Sequence, residues 1–483
     1  MPQNPLKNLT LKVEGKKARK EQKKRRELPG SAASEPAAEK PAKQPGLLRR
    51  SVDAWWNRLI AAVFGGQESA RSEQYLAHQT TRDYILNTCG QAAWGALFPL
   101  LTMVCTWFVG AEQAGLFSMA FTIGTLLLFL ANFGTRTYQV SDIDEMQSFA
   151  DYQVHRVITC AAMLLVGWGY CRLRGYADPM MAICMGVLAF RAVDGLADVY
   201  EGRLQQKDKL YLAGLSQAMR CAGSFAVFTV VLLLTHNLVW ASWGMAIAAV
   251  ASLVLLSAPL AFFETDRSAR PTLRGVRELF AGCWPLFAAL FLYNIIDSMP
   301  KFAMEGVLSY DNQLYYNAMY FPAHTILMIS AFVYKPQLVR LARIWDDPEK
   351  RRRFDLLVLA MIGVIALTTG AMALFMGTVG IPLLGIMYGL DFEQFRSLVY
   401  VMVGTGGVCA CIDFLYQIVT VLRAQAEVTL YYGAAFSVPV SMLLVNFAGL
   451  SGAVVGSLVC MAILLLLLLL QFFTIRQRAA KEY

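Results

Sequence analysis

Several long stretches of this chain carry no charged side chain, and this feature restricts its possible folds more than any other. Residues 84–111, 113–135 and 312–334 contain no Asp, Glu, Lys or Arg. Each is longer than the about 20 apolar residues that cross the hydrocarbon core of a bilayer as a helix. Only 16% of the 483 residues are charged, whereas soluble domains have about 25%. The sequence therefore predicts a polytopic membrane protein.

Two further charge-free stretches, residues 221–263 and 428–475, are longer than one span requires. They are predicted to fold back as hairpins near Asn237 and Gly449. The predicted fold class is an all-α polytopic membrane protein with about 12 transmembrane helices in two six-helix lobes, preceded by a disordered basic tail. The predicted spans are residues 84–109, 115–133, 153–171, 179–199, 212–235, 238–262, 279–300, 314–337, 355–378, 396–420, 427–448 and 450–475.

The excess positive charge of the chain lies in its first 50 residues. Residues 1–50 hold 14 Lys or Arg and 5 Asp or Glu, so their net charge of +9 equals that of the whole chain. With few apolar residues among them, these charges predict a disordered cytoplasmic tail, either solvated or anchored on anionic membrane lipids. The rest of the chain is neutral overall, so no nucleic-acid partner is expected.

Residues 51–83 are predicted to form an interfacial amphipathic segment, because Trp55, Leu59, Ile60 and Val63 recur there at helical spacing. The other predicted domains are an amino-terminal lobe at residues 84–263, a carboxyl-terminal lobe at 279–475 and a cytoplasmic tail at 476–483.

Basic residues are distributed unevenly between the predicted loops on the two sides of the membrane. With the amino terminus in the cytoplasm, 20 of the Lys and Arg residues beyond residue 83 fall in inner loops, at the inner ends of spans or in the carboxyl tail. Two lie within spans, and the 4 in outer loops are Arg172, Arg174, Lys301 and Arg396. This bias follows the positive-inside rule. It predicts a multi-pass protein of the plasma (inner cytoplasmic) membrane with both termini cytoplasmic.

A weak internal repeat relates the two predicted lobes. The segment VDGLADVYEGRLQQKDKLYLAG aligns without gaps with IDFLYQIVTVLRAQAEVTLYYG, so that Asp194 is aligned with Asp413. The copies lie six spans apart, and because six is even they have the same orientation about an axis normal to the membrane. The repeat predicts two six-helix bundles around a central cavity, an architecture suited to alternating access.

Sequence motifs of catalysis and cofactor binding are missing. The 10 cysteines form no CxxC pair, the 4 histidines form no HExxH, and neither GxxxxGK[ST] nor GxGxxG occurs. We therefore expect no metal, no cofactor and no enzymatic activity. A polysaccharide polymerase or glycosyltransferase typically needs a large outer loop, and the longest predicted one, residues 379–395, is too short.

Ionisable side chains inside predicted spans are the main candidate site residues. Each costs about 2.5–3.5 kcal/mol on insertion scales and should face a bundle interior or water. Arg191 and Asp194 lie one turn apart on one face of span four, and span five adds Arg220. Two interpretations stay open: an internal ion pair that fixes span four, or cations that bind substrate phosphates in a cavity.

Five further polar residues are candidates. Asn87 lies in span one, and Arg136 lies at a cytoplasmic mouth, where it either recognises a headgroup or anchors the helix in the interface. Asp297, Asp413 and His324 are candidates for coupling to Na⁺ or H⁺, with polar contacts between helices as the alternative.

Two segments of the chain resemble a known family. LFLANFGTRTYQVSDI, from Leu128, and RAVDGLADVYEGRLQQKDKLYLAG, from Arg191, are similar to segments of Wzx-type polysaccharide-biosynthesis flippases. These flippases belong to the multidrug/oligosaccharidyl-lipid/polysaccharide exporter superfamily, and the resemblance covers about residues 80–475. It implies two lobes of six helices and transfer of an undecaprenyl-pyrophosphate-linked oligosaccharide to the outer leaflet.

The resemblance also implies which residues contact the pyrophosphate. Cavity arginines have this role in the family, and the corresponding candidates here are Arg191 and Arg220. The chain departs from the family in span one, because Arg82 and Asp83 lie at the entrance of that span and not deep within it.

The predicted function is therefore a flippase for a lipid-linked oligosaccharide. Its predicted substrate-binding residues are Arg191, Arg220, Arg136, Asp194 and Asn87, and a polysaccharide polymerase or ligase is an expected partner. The alternative is a cation-coupled multidrug antiporter of the same superfamily, because four aspartates outnumber the two arginines within the spans. Arginines in the cavity wall of the amino-terminal lobe would favour the flippase.

Overall fold

The computed structural model describes residues 73–142, 145–266, 268–334, 341, 344–345, 351–421 and 427–481. The predicted disordered tail and the part of the predicted interfacial segment before residue 73 lie outside the described residues. From Leu76 onward the chain forms one compact unit. The described residues are nearly all helical and contain no β-strand, which confirms the predicted all-α class.

The helices are α1 (Glu73–Val109), α2 (Ala111–Asn132), α3 (Thr135–Ser141), α4 (Phe149–Leu173), α5 (Met180–Gln206), α6 (Leu210–Thr235), α7 (Leu238–Ser252), α8 (Ala258–Glu264), α9 (Leu273–Met304), α10 (Asp311–Tyr334), α11 (Arg351–Phe375), α12 (Ile381–Tyr388), α13 (Arg396–Val421) and α14 (Glu427–Lys481). Single π-helical turns connect α7 to α8 and α11 to α12.

Ten helical segments of the described residues are long and apolar enough to cross a membrane. One of them, α14, divides at Gly449, where φ is 57°, so it supplies the two helices predicted there. The predicted hairpin near Asn237 is also present, because α6 ends at Thr235 and the Asn237 side chain caps α7. The 24-residue α10 is not among the ten, since Asn317 and His324 lower its hydropathy.

The helices of the first half, α1–α8, and of the second half, α9–α14, pack in matching patterns. In the first half α5 packs against α2, α4, α6 and α7, and in the second half α13 packs against α10, α11 and α14. Span four therefore has the same neighbours in its half as span ten has in the other, as the internal repeat predicts. Between the halves, α2 packs against both α9 and α10, and α4 packs against α9.

Successive helices place their turns at two ends of the bundle. We call the end with the turns at residues 110, 174–179, 236–237, 305–310 and 389–392 the distal end. The opposite, proximal end holds residues 133–134, 207–209 and 265–272. Polar and close backbone contacts join the two halves at both ends.

At the distal end, an ion pair and two hydrogen bonds cross between the halves. The buried Glu305 carboxylate lies 3.2 Å from an Arg174 Nη2 and accepts a 2.8 Å hydrogen bond from the Tyr170 hydroxyl. Burial raises the pKa of the Glu305 carboxyl. The Trp107 indole N–H donates to the Met387 carbonyl at 2.6 Å. These contacts close the distal end of the interface.

A glycine permits the closest approach at this end. A Cβ on Gly115 of α2 would lie 1.8 Å from the carbonyl oxygen of Tyr310, so no other residue fits there without a shift of the backbone.

At the proximal end, the starts of α4 and α9 are joined. Ser148 and Asp151 form a capping box at the start of α4, and the Asp151 carboxylate also accepts the Thr272 N–H at 2.6 Å. The Gln147 amide donates to Glu278 at 2.9 Å. The first helix of the second half is therefore fixed to the first half at both of its ends.

We predict that the Arg174–Glu305 pair stabilises the closed distal end. Arg174→Glu would place a second carboxylate beside buried Glu305 and should lower the unfolding free energy by about 1–3 kcal/mol, because a buried acceptor loses its charged partner. Adding Glu305→Arg should restore most of the loss, which thermal denaturation in detergent would measure.

The matched control is Arg172→Glu, an exposed position in the same turn with no ion pair among the described residues. Equal melting temperatures for the Arg174 and Arg172 variants would contradict a stabilising pair.

Candidate functional site

A cavity of about 280 Å³ lies between the two halves, near the middle of the spans. Helices of both halves contribute to its wall, mainly α1, α2, α9 and α10. Its volume is close to the lower limit of small-molecule pockets, about 300–1,000 Å³. The lining residues are Trp94, Gly95, Phe98, Pro99, Thr102, Phe121, Thr122, Thr125, Phe129, Arg191, Tyr293, Asn294, Asp297, Ser298, Lys301, Asn317, Tyr320, Phe321, His324, Leu327 and Tyr388.

Arg191 of α5 is the cation that the first half contributes to the cavity wall. Its guanidinium donates to Asp194 at 3.1 Å and to the Thr125 hydroxyl at 3.0 Å, and it lies 4.3 Å from the centre of the Phe121 ring. Arg191 therefore forms the predicted ion pair with Asp194 and also lies in a cavity wall.

Lys301 of α9 is the cation that the second half contributes. Its ammonium lies 4.5 Å from the centre of the Tyr320 ring, and no carboxylate of the described residues forms an ion pair with it. The predicted topology placed Lys301 in an outer loop, directly after the predicted span 279–300. That assignment is wrong: α9 continues through Pro300 to Met304. The spacing of Asn294, Asp297 and Lys301 on one helical face was the available signal.

Asp194 connects three helices behind the cavity wall. Its carboxylate accepts hydrogen bonds from the Trp94 indole at 2.8 Å, from Arg191, and from the Arg220 Nε at 3.0 Å. Arg220 also pairs with Glu201 at 2.5 Å and is 2% exposed. Of the two predicted arginines, Arg191 therefore lines the cavity and Arg220 lies behind it, fully paired.

A second group of charges continues this network toward the proximal end. Asp198 pairs with Arg136 at 2.7 Å and with the buried Arg156 at 2.7 Å, and Arg136 also lies 3.7 Å from Glu201. Neither Arg156, near the start of the predicted span 153–171, nor Glu201, just beyond the predicted span 179–199, stood out in the sequence. The network contains four arginines, one each from α3, α4, α5 and α6. Its three carboxylates all belong to α5, so the net charge of the network is +1.

The other predicted residues are divided between three places. Asp297 and His324 line the cavity, where Tyr320 donates a 2.8 Å hydrogen bond to Asp297 and its ring stacks on His324. Asp413 lies in a separate pocket of about 90 Å³ and accepts a hydrogen bond from Tyr334. Asn87 lies outside the cavity lining, where α1 approaches α6. The substrate and coupling roles of all these residues stay predictions.

The lining chemistry favours an anion with an apolar or ring-bearing part. The cavity wall carries Arg191 and Lys301 against one carboxylate, Asp297, with His324 as a further titratable group. Eight aromatic residues other than His324 line the space around them, four from the first half and four from the second: Trp94, Phe98, Phe121, Phe129, Tyr293, Tyr320, Phe321 and Tyr388. A guanidinium binds two phosphate oxygens at once, and an ammonium adds a compact charge.

Solved transporters have a fold similar to that of this chain. No protein-family model matches the sequence, and no curated protein matches it. An inward-facing multidrug resistance MATE family transporter of the MOP superfamily is 13% identical with a TM-score of 0.58, over 79% of this chain and 96% of its own. A MOP superfamily transporter from Pyrococcus furiosus is 14% identical with a TM-score of 0.55, over 83% and 95% of the two chains.

A eukaryotic MATE transporter is 11% identical with a TM-score of 0.55, over 84% of this chain and 98% of its own. At such low identity these similarities show that the chain has the fold of MOP superfamily transporters. The sequence resemblance implies the same fold.

We predict that Asp194 is required for the stability of the first half. Asp194→Asn removes the charge that Arg191 and Arg220 share in a buried site, which should lower the unfolding free energy by about 3–5 kcal/mol. Thermal denaturation in detergent would measure this loss. Asp178→Asn, at an exposed position in the α4–α5 turn, is the control and should melt like the wild type. A normal melting temperature for Asp194→Asn would contradict the structural role of the network.

Proposed function

We propose that this protein is a plasma-membrane transporter that moves the headgroup of an undecaprenyl-pyrophosphate-linked oligosaccharide from the inner to the outer leaflet for surface polysaccharide biosynthesis. The observation that supports this proposal most is the pair of cations, Arg191 and Lys301, which the two halves contribute to one cavity. A polysaccharide polymerase or ligase would then receive the product on the outer side.

The cations support a diphosphate substrate for an electrostatic reason. A pyrophosphate loses its hydration when it enters a protein cavity at membrane depth, and charged donors must replace that hydration. Arg191 uses part of its fork for Asp194 and Thr125, and Lys301 has no ion pair among the described residues. Both therefore have donor capacity for phosphate oxygens. Trp94, Tyr293 and Tyr320 offer aromatic faces for sugar rings.

The interface between the halves supports alternating access. At the distal end, Arg174, Glu305 and Trp107 hold the halves together, and we propose that this is the outer side of the membrane. Opening would break these contacts and expose the cavity outward. Both termini would then be cytoplasmic, in agreement with the distribution of basic residues.

A cation-coupled multidrug antiporter is the second candidate function. Asp297 favours it, because this cavity carboxylate has no ion pair among the described residues and could bind a cationic substrate, Na⁺ or H⁺. Solved transporters with this fold are described as multidrug resistance proteins. Its cavity would be expected to carry a net negative charge, whereas this one carries two fixed cations and one carboxylate.

We predict that loss of the protein stops export of one lipid-linked intermediate. Deletion of the gene in its host should make that intermediate accumulate, and mass spectrometry of extracted lipids would measure the amount. Arg191→Ala and Lys301→Ala should each reduce complementation by about 10- to 100-fold, because a charged hydrogen bond contributes about 1.5–3 kcal/mol. Arg191→Lys should restore part of the activity, since it keeps the charge.

Arg274→Ala removes an exposed arginine and is the control for expression and membrane insertion. Efflux of cationic dyes that depends on Asp297, without any change in lipid-linked intermediates, would refute the flippase and support the antiporter.

A further inference from the structure

A second cavity, which we call the apolar groove, lies beside the interface on the outside of the bundle. It has a volume of about 390 Å³, and α2, α4, α9 and α14 form its wall. Eleven of its thirteen lining residues are apolar, and the other two are Tyr170 and Arg174. Val166 and Met442 on its rim are 49% and 57% exposed, so the groove opens toward the lipid.

The apolar groove and the charged cavity share two helices. On α2, Thr122 and Thr125 line the cavity, whereas Ile123 and Leu126 line the groove. At 100° per residue, the mean directions of these two pairs are roughly 100° apart on the helix. The α2–α9 pair is therefore a thin partition with a polar space on one side and an apolar space on the other.

The same division holds on α9. Asn294, Asp297 and Lys301 line the cavity, whereas Ile295 and Met299 line the groove. From Phe291 to Ala303 the α9 wall of the groove extends for about 18 Å, a large part of the roughly 30 Å hydrocarbon core. The groove is thus parallel to the membrane normal and long enough to hold a segment of a hydrocarbon chain.

We infer that the apolar groove binds the polyprenyl chain of the transported lipid while its pyrophosphate occupies the charged cavity. This inference rests on the proposed function. A lipid-linked substrate has one polar and one apolar part joined by a short linkage, and α2 and α9 separate two spaces of matching polarity. The flexible Met299 and Met442 side chains in the groove adapt readily to the irregular shape of such a chain.

The position of Arg174 adds a functional consequence. It lines the distal end of the groove and also pairs with Glu305 in the closed interface. A chain in the groove would therefore contact the residues that must separate when the distal end opens. Chain binding and opening would be linked through this one side chain.

Photocrosslinking tests the inference on the full chain in lipid nanodiscs. The probe is undecaprenyl pyrophosphate with a diazirine in its chain, and a phosphatidylethanolamine with a diazirine in its acyl chain is the comparison. Adducts should map to the groove-lining residues of α2, α4, α9 and α14. Unlabelled undecaprenyl pyrophosphate should compete with the first probe and not with the second.

Two neighbouring residues of α4 provide a matched pair of variants. Val166→Trp should lower labelling by undecaprenyl pyrophosphate about tenfold, as expected if the indole displaces about two methylene groups from the groove. Leu165→Trp adds the same side chain at a lipid-exposed position outside the groove lining and should leave labelling unchanged. Equal effects of both variants would overturn the inference.

The remaining outcomes separate the groove from the proposed function. Groove labelling that is equal for both probes and resists competition would show that the groove holds only bulk membrane lipid. This result would overturn the assignment of the groove to the polyprenyl chain. Adducts that lie outside the groove and disappear in Arg191→Ala would support the headgroup site. They would overturn the assignment of the groove to the polyprenyl chain. Absence of any saturable labelling would refute the proposed substrate, and the groove assignment would fail with it.

Discussion

The burial of charge inside the membrane is the constraint on which this structure depends. Asp194 satisfies it by accepting hydrogen bonds from Trp94, Arg191 and Arg220, which belong to α1, α5 and α6. Each of these charges alone would be costly in hydrocarbon, so the packing of the three helices around Asp194 stabilises the buried charges. The same arrangement holds the Arg191 guanidinium at the cavity wall.

The charged side chains that the two halves place at the cavity are paired differently, although the helices of the halves pack in matching patterns. In the first half, every carboxylate of the α5 network is paired with arginine. In the second half, Lys301 and Asp297 face the cavity on one helix and have no ion pair among the described residues. The first half is thus suited to fix a charge in place, and the second half is suited to respond to an anion or a cation that enters.

Much of the fold could be predicted from the sequence, because span length and charge-free runs are local properties. The hairpin near Asn237 and the division at Gly449 are examples. The residues of the site were harder to predict from the sequence. Arg220 and Arg191 look alike as arginines within spans, and only tertiary packing shows that α6 turns Arg220 toward Glu201. Lys301 was missed because the predicted span ended at residue 300, whereas the helix continues to Met304 and carries Lys301 into the cavity wall.

The most direct test of the central claim is an experimental structure with undecaprenyl pyrophosphate bound. The account predicts phosphate oxygens within hydrogen-bond distance of both Arg191 and Lys301, between the two halves. A pyrophosphate bound elsewhere, with those two side chains contacting only protein atoms, would contradict it.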